Sequence, residues 1–203
     1  MLLQEFDYIA LPTRTGDRVA DAAALLLANG CPKTLAHVQR VAEVCAQLAD
    51  RFGLDREGCI AAGLLHDISA IVRRSDMLPC AQRRRMALYE AEKQLPFLLH
   101  QRLSAVIAAE HFGITDAAVL SAIECHTTLK AEATPTDMAL FIADKLAWDQ
   151  EGTPPYEQEV RAALAQSLPA ACLAYMRYST RHGRVLYPHT WWLEALAWLE
   201  QAV

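Results

Sequence analysis

Apolar residues recur every three or four positions along this chain, and the pattern repeats from end to end. Leu35, Val38, Val41, Cys45, Leu48 and Phe52 form the clearest run, closed by Gly53. That spacing places all six on one face of a helix. Stretches alternating apolar and polar residues between hairpin turns are missing, so the reading is all-α. A first helix is predicted from Asp17, a good N-cap, to Gly30. A third opens after Asp55 and runs through Ile60, Ala61, Leu64 and Leu65 to His66-Asp67. A fourth is predicted from about Pro79 to Gln94 and closed by Pro96, since proline starts helices and stops what precedes it. Two more follow, from about Leu98 to Phe112 with Gly113 as the stop, and from a cap at Thr115 or Asp116 to His126. Thr136 reads as the N-cap of the segment bearing Met138, Leu140, Phe141, Ile142 and Asp144. Beyond the loop-like EGTPP stretch a final helical region runs from Tyr156 to the C-terminus. It is kinked at Pro169 and broken around His182-Gly183 and Pro188.

No repeat, low-complexity tract or linker divides the 203 residues, so one domain over residues 1–203 is expected, with an N-terminal helix and C-terminal helical extension. Apolar residues make up 53% of the chain, yet no uninterrupted apolar run approaches the ~18 residues of a membrane span. The opening MLLQEFDYIA carries Glu5 and Asp7 and lacks a signal peptide's basic and apolar regions. A cytoplasmic protein with no membrane partner is expected. The six cysteines form no C-x-x-C pair and read as buried small hydrophobes. Cys125 beside His126 could be a nucleophile pair, but no third, orienting partner is visible. A net charge of −5 argues against nucleic acid as the main partner. The basic run Arg83-Arg84-Arg85 reads as a solvated helix face.

Histidine placement carries the chemistry. His37 lies early in a strongly amphipathic helix, His66-Asp67 ends the apolar run G-L-L-H-D, and His100 and His126 come from two later helices. Each alone reads more simply as a hydrogen-bonded core histidine. The carboxylates are harder to place: Asp67 follows a buried-looking L-L-H, and Asp144 interrupts the apolar F-I-A-D-K-L. A buried charge needs a partner. A cation among these histidines and aspartates would satisfy both kinds of group, and imidazole with carboxylate suits several divalent transition metals.

The ordered set H-(x)28-HD-(x)n-D, at His37, His66-Asp67 and Asp144, resembles the HD-domain phosphohydrolases. The extra His100 and the H-T-T at 126–128 resemble their dinuclear branch. Closer still, HVQRVAEVCAQLADRFGLD, AAGLLHDIS, the LLH at 98–100, HFGITDAAVLSAIECHTT and FIADK follow in order the pattern of the YqeK-type symmetrical diadenosine tetraphosphate hydrolases. The likeness covers residues 34 to 148, the expected HD core, with weaker echoes to His189. It implies an HD-domain helical bundle with packed C-terminal helices. It implies two divalent ions, iron or manganese: one held by His37, His66, Asp67 and Asp144, the second by Asp67 as a bridge with His100 and His126. Two such cations with two carboxylates leave the site near +2, which attracts a polyphosphate. Asp67 and Lys145 are then the candidate catalytic residues. Arg40, Thr127 and Lys145 are candidate substrate contacts, with a surface or ion-pair role competing for Arg40 and Lys145.

Three positions depart from that pattern. The lysine of HD-x-x-K is Ala70, the glycine of H-T-T-G is Leu129, and the arginine after A-D-K gives way to Trp148, Asp149 and the EGTPP loop. The expected function is metal-dependent hydrolysis of a nucleotide phosphoanhydride, diadenosine tetraphosphate to two ADP. A nucleotide or deoxynucleotide phosphatase and a non-catalytic nucleotide-binding protein are the rivals. His111, His182 and His189 are expected outside the metal site, with His189 able to line its pocket. Trp191, Trp192 and Trp198 read as helix-packing aromatics.

Overall fold

The longest described helix, Pro32–Phe52 (α2), anchors the fold, with three other helices laid directly against it. The computed structural model describes residues 1–148 and 150–203; Asp149 lies outside the described residues. A 3₁₀ turn, Leu2–Glu5, precedes α1 (Arg18–Ala28) and α2. Asp17 caps α1 by accepting from the Val19 and Ala20 N–H groups, and Gly53 ends α2 in the left-handed conformation, with φ 67°. Next come α3 (Arg56–Leu65), a 3₁₀ turn at Ile68–Ile71, α4 (Arg74–Arg83), α5 (Glu90–Gln94) and a 3₁₀ turn at Pro96–Leu99. They lead into α6 (His100–Glu110), α7 (Ala117–Cys125) and α8 (Pro135–Leu146). Helices α9 (Glu157–Leu164), α10 (Leu168–Arg181) and α11 (Thr190–Ala202) complete the chain. No strand occurs among the described residues. The all-α expectation holds.

One hydrophobic core runs from Leu2 and Leu3 through α2, α3, α6, α7 and α8 to Leu199. Two helices meet closely at Gly63. A Cβ there would meet the Ala42 Cα at 2.7 Å and the Ala42 N at 2.9 Å, so α3 crosses α2 backbone to backbone. Gly63 is also one turn before His66, and its carbonyl lies 2.8 Å from His66 Nδ1. Gly63→Ala is expected to cost about 1–3 kcal/mol of stability, read by denaturant unfolding. An unchanged midpoint would show that α2 and α3 can separate freely.

Four sequence expectations need correction. The fourth helix is not continuous from Pro79 to Gln94. Pro79 lies inside α4, and the chain breaks after Arg84, with Arg85 at φ 55°, before α5 begins. The cap of α8 is Thr134 rather than Thr136: its hydroxyl accepts from the Asp137 N–H, while the Asp137 carboxylate accepts from the Thr134 N–H. This reciprocal box secures two otherwise orphan donors. Pro169 does not kink a helix but stands in the first turn of α10, behind the Ser167 cap. Arg83 and Arg84 are not simply a solvated face. Both pair with Glu5, at 3.2 and 2.8 Å, and Arg84 also pairs with Glu110, tying the N-terminal turn to α4 and α6.

Candidate metal centre

Five helices bring the six expected ligands to one place. His37 projects from α2, His66 and Asp67 end α3, His100 opens α6, His126 ends α7, and Asp144 comes from the last turn of α8. Three rings are fixed by the same local device. The Nδ1 atoms of His66, His100 and His126 lie 2.8, 2.7 and 2.8 Å from the carbonyls of Gly63, Phe97 and Ile123, each three residues earlier. An Nδ1–H donating to a carbonyl leaves the Nε2 lone pair free and aims it inward, as metal-ligating histidines require.

The acidic groups face these nitrogens. Asp144 Oδ1 lies 2.9 Å from His37 Nε2 and 3.5 Å from His66 Nε2. The two oxygens of Asp67 point different ways: Oδ2 is 3.6 Å from His66 Nε2, while Oδ1 is 3.4 Å from His100 Nε2 and 3.5 Å from His126 Nε2. Two triads of potential ligands result, His37-His66-Asp67 and Asp67-His100-His126, with Asp67 common to both.

The electrostatics are those of a cation site. Burial pushes the His126 ring down to about 4 and lowers His100 as well, so both stay neutral near pH 7. Burial would raise both carboxyls, but their surroundings reverse it. The His66, His126 and His100 rings hold Asp67 below the ordinary carboxylate range, and Lys145, His37 and His66 do the same for Asp144. His66 Nε2 is fully buried without a hydrogen-bond partner. The Nε2 atoms of His100 and His126 face each other at 3.0 Å. An orphaned buried nitrogen, two opposed lone pairs and two ionised carboxylates are a donor set that divalent cations complete.

The remaining candidates fall around this cluster. Lys145 is buried, and its Nζ donates to the His126 carbonyl at 3.0 Å and to Asp144 Oδ2 at 2.6 Å. Its charge is engaged in holding α7 and Asp144. Thr127 Oγ1 is 3.1 Å from His100 Nε2, at the edge of the cluster. Arg40 Nε and the Trp148 indole Nε1 are buried donors without partners among the described residues, and both line a cleft of about 290 Å³. Cys125 is buried, which pushes its thiol well up and leaves it protonated. His111 and His182 lie apart, against Phe112 and Tyr178.

Two residues near the cluster escaped sequence reasoning. Gln101 is fully buried; its Oε1 accepts from the Thr127 and Thr128 N–H groups at 3.0 and 3.3 Å, clamping the turn after His126. Its position beside His100 was the available signal. Arg74 stacks on the Phe97 ring at 4.4 Å, and Phe97 stacks on His100 at 4.6 Å, which puts a guanidinium near the site that Ala70 leaves without a lysine. Leu129 has φ 56°, the left-handed region where glycine is favoured, and it is fully buried. The strain of about 1–2 kcal/mol is matched by about 1.5–3 kcal/mol from burying leucine. The glycine is therefore dispensable while its backbone shape is kept. Trp148 lines the Arg40 cleft, and its neighbour Asp149 lies outside the described residues.

Known proteins resemble this chain in sequence or in fold. An uncharacterized protein in the pepC 5' region of Lactococcus lactis subsp. cremoris is 37% identical over 147 residues, 72% of this chain and 75% of that one. A symmetrical bis(5'-nucleosyl)-tetraphosphatase of Staphylococcus aureus is 33% identical over 112 residues, 53% of this chain and 55% of the enzyme. The match thus spans little more than half the length of that relative. A crystal structure of a predicted HD superfamily hydrolase involved in NAD metabolism from Clostridium acetobutylicum superposes with a TM-score of 0.82, covering 95% of this chain and 100% of its own, at 23% identity. At that identity the likeness speaks for the fold. The HD domain family model matches residues 34–149, the stretch that carries all six clustered side chains, and the chain therefore belongs to the HD domain family.

Proposed function

We propose that the six clustered residues hold two divalent metal ions and that the protein hydrolyses a phosphoanhydride bond of a nucleotide, splitting diadenosine tetraphosphate into two ADP. The observation that carries this reading is Asp67, whose two carboxylate oxygens face two different histidine groups. A carboxylate so placed would be shared by two ions if both histidine groups held one. Four imidazoles and two carboxylates suit iron or manganese better than magnesium, which prefers oxygen. Bound divalent ions would supply Lewis acidity toward phosphoryl oxygens and activation of water.

The chain's own residues account for binding and orientation. Lys145 keeps Asp144 ionised and fixes the end of α7 through the His126 carbonyl. Gln101 holds the Thr127 turn. Arg40, with an unpartnered buried Nε, and Arg74, stacked on the Phe97 ring that in turn stacks on His100, would receive a polyphosphate. The named tetraphosphatase relative supports the substrate, as does a probable nicotinate-nucleotide adenylyltransferase/Ap4A hydrolase of Mycoplasma pneumoniae, 31% identical over 112 residues, a match covering 31% of that longer protein.

In diadenosine tetraphosphate, attack at either phosphorus beside the central bridging oxygen expels ADP and leaves ADP. The metal-loaded protein is therefore expected to give ADP as sole nucleotide product, with one solvent oxygen in half the ADP molecules. Chromatography and mass analysis of a reaction in heavy-oxygen water read both. AMP plus ATP would overturn the symmetrical cut. No turnover, beside rapid phosphate release from mononucleotides, would replace the substrate class altogether.

A further inference from the structure

A second cavity, of about 200 Å³, opens where the metal cluster ends. Thr127 joins them: its hydroxyl touches His100 Nε2, and the same residue lines the cavity. Leu98, Val185, Tyr175 and Trp192 form apolar and aromatic walls. Ser179, on α10, is 2% exposed, and its Oγ has no hydrogen-bond partner. The next residue shows the alternative a helical hydroxyl usually takes, since Thr180 Oγ1 bonds back to the Met176 carbonyl at 3.0 Å. Ser179 makes no such bond and lines the cavity instead. A buried hydroxyl without a partner costs stability unless a ligand satisfies it.

We infer that this cavity is the subsite for a nucleobase of the substrate, an inference that rests on the nucleotide-hydrolase reading above. A half-open space with apolar and aromatic walls, the unpaired Ser179 hydroxyl inside it and Thr127, Thr128, Arg184 and His189 also along its lining matches a flat aromatic heterocycle with hydrogen-bonding edges. Its position fits as well: a phosphate chain held at the metals would lead its nucleoside past Thr127 into this space. The walls from Tyr175 to Trp192 belong to α10, α11 and their connecting loop, outside the residues 34–149 that match the HD family. Most of the cavity wall therefore comes from a segment that supplies none of the clustered histidines and aspartates, while Leu98 and Thr127 join it to them.

The test compares binding of ADP and of inorganic pyrophosphate to the metal-loaded protein by calorimetry, with thermal unfolding in parallel. The wild type should bind ADP at least tenfold tighter than pyrophosphate. Val185→Trp, which fills the cavity from its half-buried loop, should weaken ADP at least tenfold and change pyrophosphate less than twofold. Ser179→Ala should weaken ADP threefold to tenfold without lowering the melting temperature, because it removes a hydroxyl that nothing in the protein satisfies. Equal affinity of the wild type for the two ligands, or undiminished ADP binding by Val185→Trp, would overturn the subsite. A drop in melting temperature for Ser179→Ala with ADP binding intact would overturn it too, by giving the hydroxyl a structural role. Failure of the wild type to cut diadenosine tetraphosphate would instead remove the functional reading, and the binding comparison would still decide the cavity.

Discussion

Asp67→Ala is expected to lower turnover at least ~10³-fold and to leave at most one metal ion per chain by elemental analysis. The reason is geometric. His66 meets one oxygen of Asp67, and His100 with His126 meet the other, so the same carboxylate is counted in both ligand triads. Removing it takes a ligand and a negative charge from each. Asp67→Asn keeps the shape and should fall nearly as far, because on the proposed reading the charge would balance two cations. Changes on one side should be less severe in metal content. His126→Ala leaves His37, His66, Asp67 and Asp144 in place, so the first ion should persist while the second is lost. If Asp67→Asn retained two ions and turnover within tenfold of the wild type, the bridging role would be wrong. Near-native activity in His100→Ala and His126→Ala would remove the second ion from the reaction.

The clustering of these histidines and aspartates was legible in the sequence because the residues stand in sharply local contexts. His66-Asp67 ends an apolar helix and Asp144 interrupts another, so burial of charge could be inferred without knowing the neighbours. The device that aims the histidines was not legible. The Nδ1 contacts to Gly63, Phe97 and Ile123 need the actual ring rotamers, and only the recurring spacing of three hints at them. Helix ends were readable where one residue decides the cap, as at Asp17 and Gly53. They were misread where two candidates competed, and Thr134 prevailed over Thr136 because only it places Asp137 at the third helical position. Pro79 misled for a related reason. It sits inside α4, which begins five residues before it, at Arg74. The substrate-side contacts were least legible, since Thr127, Ser179 and Trp192 meet in a single cavity only through the packing of α10 and α11.

Arg102→Ala is expected to cost about 3–5 kcal/mol of stability at pH 7, the largest loss from any change outside the ligand set. Glu92, on α5, is fully buried and accepts from Arg102 Nη1 at 3.0 Å and from the Tyr89 N–H at 2.9 Å, with His189 Nε2 at 3.6 Å. Arg102 also donates to the Ala87 carbonyl at 2.7 Å and lies over the Tyr89 and Trp191 rings. This cluster locks α6, two residues past His100, to α5 and α11. Removing the guanidinium leaves a carboxylate in the core with too few donors. Truncating both partners to apolar residues, as in Arg102→Leu with Glu92→Met, should recover most of the loss, because no charge then remains buried. The pH dependence gives the sign. Burial would raise the Glu92 carboxyl, but His189, the Tyr89 N–H and Arg102 hold it below its ordinary value of 4.5. In the wild type its contribution is present above that value and is lost as pH falls through the lower folded one. Without Arg102 the carboxyl rises, and the folded protein prefers it protonated. The deficit of the variant should therefore narrow as the pH is lowered from 7 to 4. Urea unfolding of both proteins at the two pH values measures it. A loss below 1 kcal/mol at pH 7, or a deficit that does not narrow on acidification, would show that Glu92 does not depend on Arg102 for its charge.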